Sequence, residues 1–160
     1  MPASQIQLAR LTAVVPAAQA AQAATKVPSS VTLAQWAVES TWGVSPLATE
    51  ANNYFGIKAE HLNDPNTYEE FATHEYVNGV YTPEMAAFEK YPDAAASFAD
   101  HARLLSTAPR YAPAMAVASD PQKFAAELQT CGYSTSPTYG ATLWQIITQY
   151  KLTQYDSISG

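Results

Sequence analysis

The sequence predicts a mainly helical (α+β) single domain with one small β-hairpin inserted near its middle. Three observations carry this reading. Apolar residues recur with a helical period in several separate stretches. A single Asn-Gly pair, Asn78-Gly79, divides two stretches rich in β-forming residues. And the chain has 160 residues, 48% hydrophobic and 14% charged, which suffices for one core and is too apolar for disorder.

The elements follow in order. Residues 17–25 are alanine-rich and read as a helix starting near Pro16 and ending before Pro28, which leaves residues 1–11 as a loose N-terminal segment. The run "LARLTAVVPAAQAAQA" has the outline of a signal peptide, but its only basic residue is Arg10 and Pro16 interrupts it, so no cleaved leader is expected. Ser29 or Ser30 is placed as the N-cap of the next helix, which runs to about Trp42 and stops at Gly43. "VSPLATEANNYFGIK" holds no sustained period and reads as a loop with one helical turn, and "LNDPNTY" is turn chemistry. The hairpin arms are "YEEFATHEYV" and "VYTPEMAAFEKY", with Pro83 marking the second as an edge or a bulge.

Beyond Tyr91-Pro92 the helical period returns, with Ala95, Phe98, Ala102 and Leu105 on one face. Asp120-Pro121 is a cap followed by proline at the first helical position. Phe124, Leu128 and Cys131 form the next stripe, so Cys131 is expected as a buried, inert thiol. Leu143, Ile146, Ile147 and Tyr150 form the last. With no repeat and no linker, residues 1–160 read as one domain.

The totals narrow the chemistry. A net charge of -6 and a pI near 4.9 argue against nucleic acid and anionic membranes as partners, and leave a neutral or zwitterionic glycan open. One cysteine allows no internal disulfide and no four-cysteine zinc site. His61, His74 and His101 lack metal-type spacing, so no metal or other cofactor is expected. No run of 18 apolar residues exists, so no membrane insertion is expected either. A monomer is the default.

The stretch "LAQWAVESTWG", residues 33–43, is the chemical focus. On a helical wheel Val31, Leu33, Ala34, Ala37 and Val38 cover well over half the circumference, and Glu39 falls on the strip left over, flanked by Trp36 and Trp42. Two readings are open: a solvated glutamate near a helix end, or a carboxyl kept protonated by apolar surroundings and able to give its proton to a leaving oxygen. Position favours the second, because a negative charge is out of place at a helix C-terminus. Indoles also stack on sugar faces, which suits Trp42 to a glycan. On the first hairpin arm, Phe71, Thr73, Glu75 and Val77 share a face by period two. Glu69, Glu70, Glu75 and Glu84 are then rival second carboxylates that the residues alone do not rank.

The words around Glu39 add a resemblance. "LAQWAVESTWGVSPLATEANNYFGIKA", "THEYVNGV", "FEKYPDAAASFADHARLL", "RYAPA" and "GYSTSPTY" occur in the order found in bacterial glucosaminidase domains, family 73 of the glycoside hydrolases. The chain resembles that family over roughly residues 12–156. The resemblance implies a lysozyme-like helical lobe and a small β-hairpin lobe with a substrate groove between them. It also implies an endo-β-N-acetylglucosaminidase that cleaves peptidoglycan glycan strands after N-acetylglucosamine. The E-S-x-W-G glutamate is Glu39, the implied general acid, and the T-x-E-Y glutamate of the hairpin is Glu75. The G-Y-x-T tyrosine is Tyr133, implied as the third catalytic residue. Asn53, Tyr54 and Phe55, with Tyr139 closing the last motif, are implied glycan contacts. Cys131 stands where many relatives carry a small residue.

Competing readings are a lytic transglycosylase, which has the same fold and a lone glutamate, and a non-catalytic wall-binding module. "NNYFGIK" stands where a transglycosylase has a G-L-M-Q-like motif. The implied place of action is the bacterial wall, periplasmic or extracellular, reached by a holin, a secretion system or lysis.

Overall fold

The computed structural model describes residues 2–157, with all their side chains except those of residues 74–77. The elements are α1 (Gln5–Thr25), α2 (Ser29–Glu39), α3 (Pro46–Ala51), β1 (Tyr68–Val77), β2 (Val80–Glu89), α4 (Ala94–Thr107), α5 (Ala112–Met115), α6 (Pro121–Thr130) and α7 (Tyr139–Gln149). Short 3-10 turns occupy Pro109–Tyr111 and Leu152–Tyr155.

Helix α2 is the axis of the body. Every residue from Ser29 to Ala37 is buried, and α1, α7 and the turn 152–155 surround it. Val38, counted among the buried positions from sequence, is exposed. Leu33, Phe98, Leu105, Phe124, Leu128, Leu143 and Ile147 complete a core with no exposed surface. Each such side chain stabilises the fold by about 1.5–3 kcal/mol through removal from water.

Helix α1 starts at Gln5, eleven residues before Pro16, so most of the segment expected to be loose is helical. Ser4 builds a capping box: its hydroxyl accepts from Gln7 N at 3.1 Å, and the Gln7 side-chain Oε1 accepts from Ser4 N at 2.8 Å. Pro16 sits inside the helix. It removes one donor to the Thr12 carbonyl, but both residues lie on the exposed face where water replaces the bond.

Neither Ser29 nor Ser30 acts as an N-cap. The cap position is Pro28, without a side-chain bond. Ser29 Oγ donates instead to Gln22 Oε1 at 2.7 Å and to Ala18 O at 3.2 Å, pinning α2 to α1. Ser30 donates through N and Oγ to the Asp156 carboxylate at 2.7 and 2.6 Å. A carboxylate at a helix N-terminus meets unpaired N–H groups and the positive end of the dipole.

The α2 C-terminus comes earlier than expected, at Glu39. Thr41, Trp42 and Gly43 then run consecutively through the left-handed region, with φ of 52°, 55° and 84°. Ser40 holds the turn, its hydroxyl donating to Trp36 O at 2.5 Å and accepting from Gly43 N at 2.8 Å.

The hairpin follows its sequence signal. β1 and β2 pair antiparallel from Tyr68↔Glu89 to Val77↔Val80, closed by Asn78 (φ 50°) and Gly79 (φ 81°). Two successive positive φ values match the right-handed twist of the arms. Pro83 lies in β2 opposite His74, where a two-stranded sheet leaves every strand an edge. The root is tied down by Asn53, whose Nδ2 donates to Ile57 O and Glu89 O, both at 2.9 Å, while Oδ1 accepts from Ile57 N at 3.1 Å.

Three stripes shift slightly. In α4, Ala95 is exposed, and the buried face is Phe98, His101, Ala102 and Leu105. Asp120 caps α6 by accepting from Lys123 N at 3.1 Å, as its sequence announces. Cys131 is half-buried rather than buried, because it lies just past the end of α6. In α7, Leu143 and Ile147 are buried, whereas Ile146 and Tyr150 are half-buried.

Candidate active site

A groove of about 1000 Å³ runs between the helical body and the hairpin root. The body contributes Glu39, Tyr111 and Tyr133, and α4 contributes Asp100, Arg103 and Leu104. The segment from Phe55 to His61 and the end of β2 supply the opposite wall, including Glu89.

Glu39 enters the groove as the last helical residue of α2. Burial raises its pKa above the ordinary carboxyl value, and a hydrogen bond from Tyr139 opposes the rise. The negative end of the α2 dipole acts in the same direction as burial. Tyr139 Oη donates to Glu39 Oε1 at 3.0 Å and accepts from Gln35 Nε2 at 3.0 Å. Gln35 and Glu39 stand one helical turn apart, so a single tyrosine from α7 engages both. Glu39 Oε2 has no hydrogen-bond partner among the described residues. This leaves a carboxyl with one oxygen fixed and the other available to the groove.

Tyr133 stacks on Tyr139 with ring centroids 5.6 Å apart and planes 14° apart. It also meets Tyr111 and the edge of His101, each at 6.1 Å. Burial first, then the charges of Glu39 and Tyr111, push its phenol well above the usual range. The hydroxyl therefore stays protonated, and it has no partner among the described residues. Beneath lies His101, fully buried and stacked on Phe55 at 3.9 Å. Burial lowers its pKa to about 3 against the pull of Asp100, so the ring is neutral. It acts as an aromatic slab under the groove.

The structure brings together three of the residues singled out from sequence, Glu39, Phe55 and Tyr133, on the groove surface. Tyr139 stands behind Glu39 instead of on the wall. Trp36 and Trp42 do not flank an open gap. Trp36 is a core residue, and Trp42 packs edge-on against Trp36 at 5.9 Å and Tyr150 at 5.5 Å. Trp42 is half-buried against these rings and is not among the residues lining the groove. Asn53 is 1% exposed, and its carboxamide makes three hydrogen bonds at the hairpin root. Tyr54 packs toward Phe98 at 6.1 Å and does not line the groove. Glu75 pairs with Thr82 in the hairpin register, and its side chain lies outside the described residues.

Sequence reasoning missed two features. Glu89, at the base of β2, lines the groove, whereas the rivals considered were Glu69, Glu70 and Glu84. On α4, Asp100 accepts from Tyr91 Oη at 2.5 Å and from Arg103 Nε and Nη2 at 3.0 and 2.7 Å. The i, i+3 spacing of Asp100 and Arg103 was the available signal. Among the described residues no cluster of three or more His, Cys, Asp or Glu could hold a metal ion, and no helix is long and apolar enough to cross a membrane.

A family profile decides the membership. The glucosaminidase profile, described as mannosyl-glycoprotein endo-beta-N-acetylglucosaminidase, matches residues 15–152. The chain belongs to the glucosaminidase family. It is 39% identical over 138 residues to an autolysin of Enterococcus faecalis, a match covering 82% of this chain and 18% of that protein. It is 36% identical over 135 residues to the exo-glucosaminidase LytG of Bacillus subtilis, covering 81% of this chain and 46% of LytG. The chain thus spans less than half the length of either relative. Its fold is that of the catalytic domain of the autolysin Auto from Listeria monocytogenes, with a TM-score of 0.84 and 29% identity, covering 98% of this chain and 90% of that one. The glucosaminidase fold expected from the sequence, a helical lobe with a small β-hairpin lobe, is the fold observed.

Proposed function

We propose that this chain is a peptidoglycan hydrolase that cleaves the β-1,4 bond after N-acetylglucosamine, with residues 1–160 acting as one catalytic unit. The observation that carries this reading is the setting of Glu39: a carboxyl at the groove whose pKa burial raises, with Oε1 bonded by Tyr139 Oη at 3.0 Å and Oε2 without a partner among the described residues. General acid catalysis needs that arrangement, because the leaving oxygen must receive a proton as the glycosidic bond breaks.

The other roles follow from position. Tyr133, with its protonated hydroxyl at the groove and its ring stacked on Tyr139, orients the acetamido group of the bound sugar. Phe55 and Tyr111 give the sugar an apolar face. Glu75, carried on the hairpin, is the base that activates water. That role requires a separation from Glu39 of roughly 6.5–9.5 Å in the closed complex. The site of action is the bacterial wall, with the chain working as a monomer on glycan strands.

The test is mass spectrometry of peptidoglycan digests after borohydride reduction, with wild type and Glu39→Gln. Reduced N-acetylglucosamine ends from wild type, and a loss of about 10²–10⁴-fold in Glu39→Gln, support the assignment. Anhydro-muramic ends would move the chain to the transglycosylases. Reduced muramic ends would keep the hydrolase and change the bond. No cleavage by wild type would leave a wall-binding module.

A further inference from the structure

We propose that Arg110 is a positioning residue: it fixes the orientation of Tyr133 beside Glu39 and so governs turnover without touching the substrate. The inference rests on the roles given above to Glu39 and Tyr133.

Arg110 sits in the 3-10 turn Pro109–Tyr111, between α4 and α5, and is exposed. An exposed arginine ordinarily gains little from any one contact, because ordering the side chain offsets most of it. Here the guanidinium is committed. Nε and Nη2 donate to Cys131 O at 3.3 and 3.2 Å, and Nη2 also donates to Gly132 O at 2.6 Å. Those are the two carbonyls that immediately precede Tyr133. A planar fork reaching two successive carbonyls holds both peptide planes in a fixed geometry, whereas an ammonium presents three freely rotating donors.

A second grip runs through a ring. The guanidinium carbon lies 5.0 Å from the centroid of Tyr111, and Tyr111 meets Tyr133 at 6.1 Å with a 49° tilt. Arg110 therefore constrains Tyr133 from its backbone and from its flank.

The turn is shaped to receive the guanidinium. Gly132 has φ +83°, and a Cβ there would come 3.1 Å from Arg110 Nη2. Tyr133 N donates to Leu128 O at 2.9 Å, closing the end of α6. The held ring stacks on Tyr139, which donates to Glu39, so the hydroxyl it carries is the group placed at the groove beside the carboxyl.

The rival explanation is that Arg110 merely caps α6, satisfying carbonyls at the negative end of a helix. A cap would change stability and leave the chemistry of folded molecules alone. A double-mutant cycle separates the two. The full chain would be prepared as Arg110→Ala, Arg110→Lys, Tyr133→Phe and Arg110→Ala/Tyr133→Phe. kcat and KM on soluble glycan strands would be measured well below each melting temperature.

Positioning predicts that Arg110→Ala lowers kcat by about 10-fold with KM within about twofold, because an interaction made in the transition state has been lost. Arg110→Lys should recover part of that loss. On the Tyr133→Phe background, Arg110→Ala should cost less than about twofold more, since the hydroxyl it places is already gone. Losses that multiply in full, or a lowered melting temperature with unchanged kcat, would overturn the proposal. If Arg110→Ala does not fold, Gly132→Ala perturbs the same contact from the other side and enters the same cycle. Glu39→Gln, assayed alongside, separates the two failures: full activity there would sink the reading of the site itself.

Discussion

The two walls of the groove are built differently. On the body side, Glu39 owes its state to partners far away in sequence: Tyr139 is 100 residues distant, and the other end of α2 is held by Asp156, 126 residues from Ser30. On the hairpin side, the arms are defined by a local two-residue turn, and the root is tied by the Asn53 carboxamide together with backbone bonds from Ala59 N to Ala87 O, Glu89 N to Ile57 O and Tyr91 N to Ala51 O. Val80 and Met85 are 62% and 61% exposed, so these two β2 side chains add little apolar burial. The body therefore fixes the electronic state of a single group, and the hairpin joins it through a root built largely of backbone bonds. A groove assembled this way can hold an acid in place while its opposite wall adjusts to a polymer.

The largest effect that would sharpen this contrast is at the root. Asn53→Ala removes three hydrogen bonds at the hairpin junction, leaving the Ile57 amide without its acceptor and Ile57 O with only its bond from Glu89 N. A loss of about 2–4 kcal/mol is expected, at ~1 kcal/mol for each bond and more for groups left buried. Hydrogen exchange should show β2 amides losing protection first while α2 keeps its own. Simultaneous loss from both would mean the hairpin is no separate unit.

Tyr139→Phe tests the other wall. The bond it deletes lowers the Glu39 pKa, so the variant's Glu39 should titrate still higher. The basic limb of the kcat/KM profile should move to higher pH, and stability should fall by about 1–3 kcal/mol because Gln35 loses its acceptor in the core. A limb that moves to lower pH would show that Tyr139 does not support the charged form.

The smallest effect is a gain. The folded pKa of Glu39 is raised, so the unfolded chain binds fewer protons than the folded one once pH exceeds the ordinary value of 4.5. Stability then declines as pH rises from there through the folded pKa. Glu39→Gln removes this penalty and should raise the melting temperature at neutral pH by about 2–4 °C, the shift that ~1 kcal/mol makes in a domain of this size. Below pH 4.5 the gain should vanish. A gain that persists there would assign it to packing instead of titration.

Elements with local punctuation were legible. Asn78-Gly79 named the hairpin turn, Asp120-Pro121 named the start of α6, and the helical period of apolar residues placed Phe98, Leu128 and Leu143 in the core. Features set by distant partners were not. The start of α1 was hidden because Gln5, Gln7 and Ala9 carry no apolar stripe, and its capping box is visible only once the helix is granted. Ser29 and Ser30 have cap chemistry but spend it on Gln22 and Asp156, which the sequence alone does not bring near. Glu39 could be singled out because its apolar neighbours are local. The partition of two tryptophans and Asn53 into packing, and of Glu89 into the groove, is a consequence of tertiary closure.

The bonding around Tyr139 also gives the acid a direction. Tyr139 accepts from the amide of Gln35, a group that only donates at that nitrogen, and spends its own proton on Glu39 Oε1. Nothing along that line can take up a proton from the carboxyl or deliver one to it. Whatever Glu39 gives away leaves through Oε2, toward the groove, and must come back by the same door. If Glu39 is the general acid proposed above, each turnover ends only when water regains the place held by the leaving sugar, which ties recharging of the acid to departure of the product.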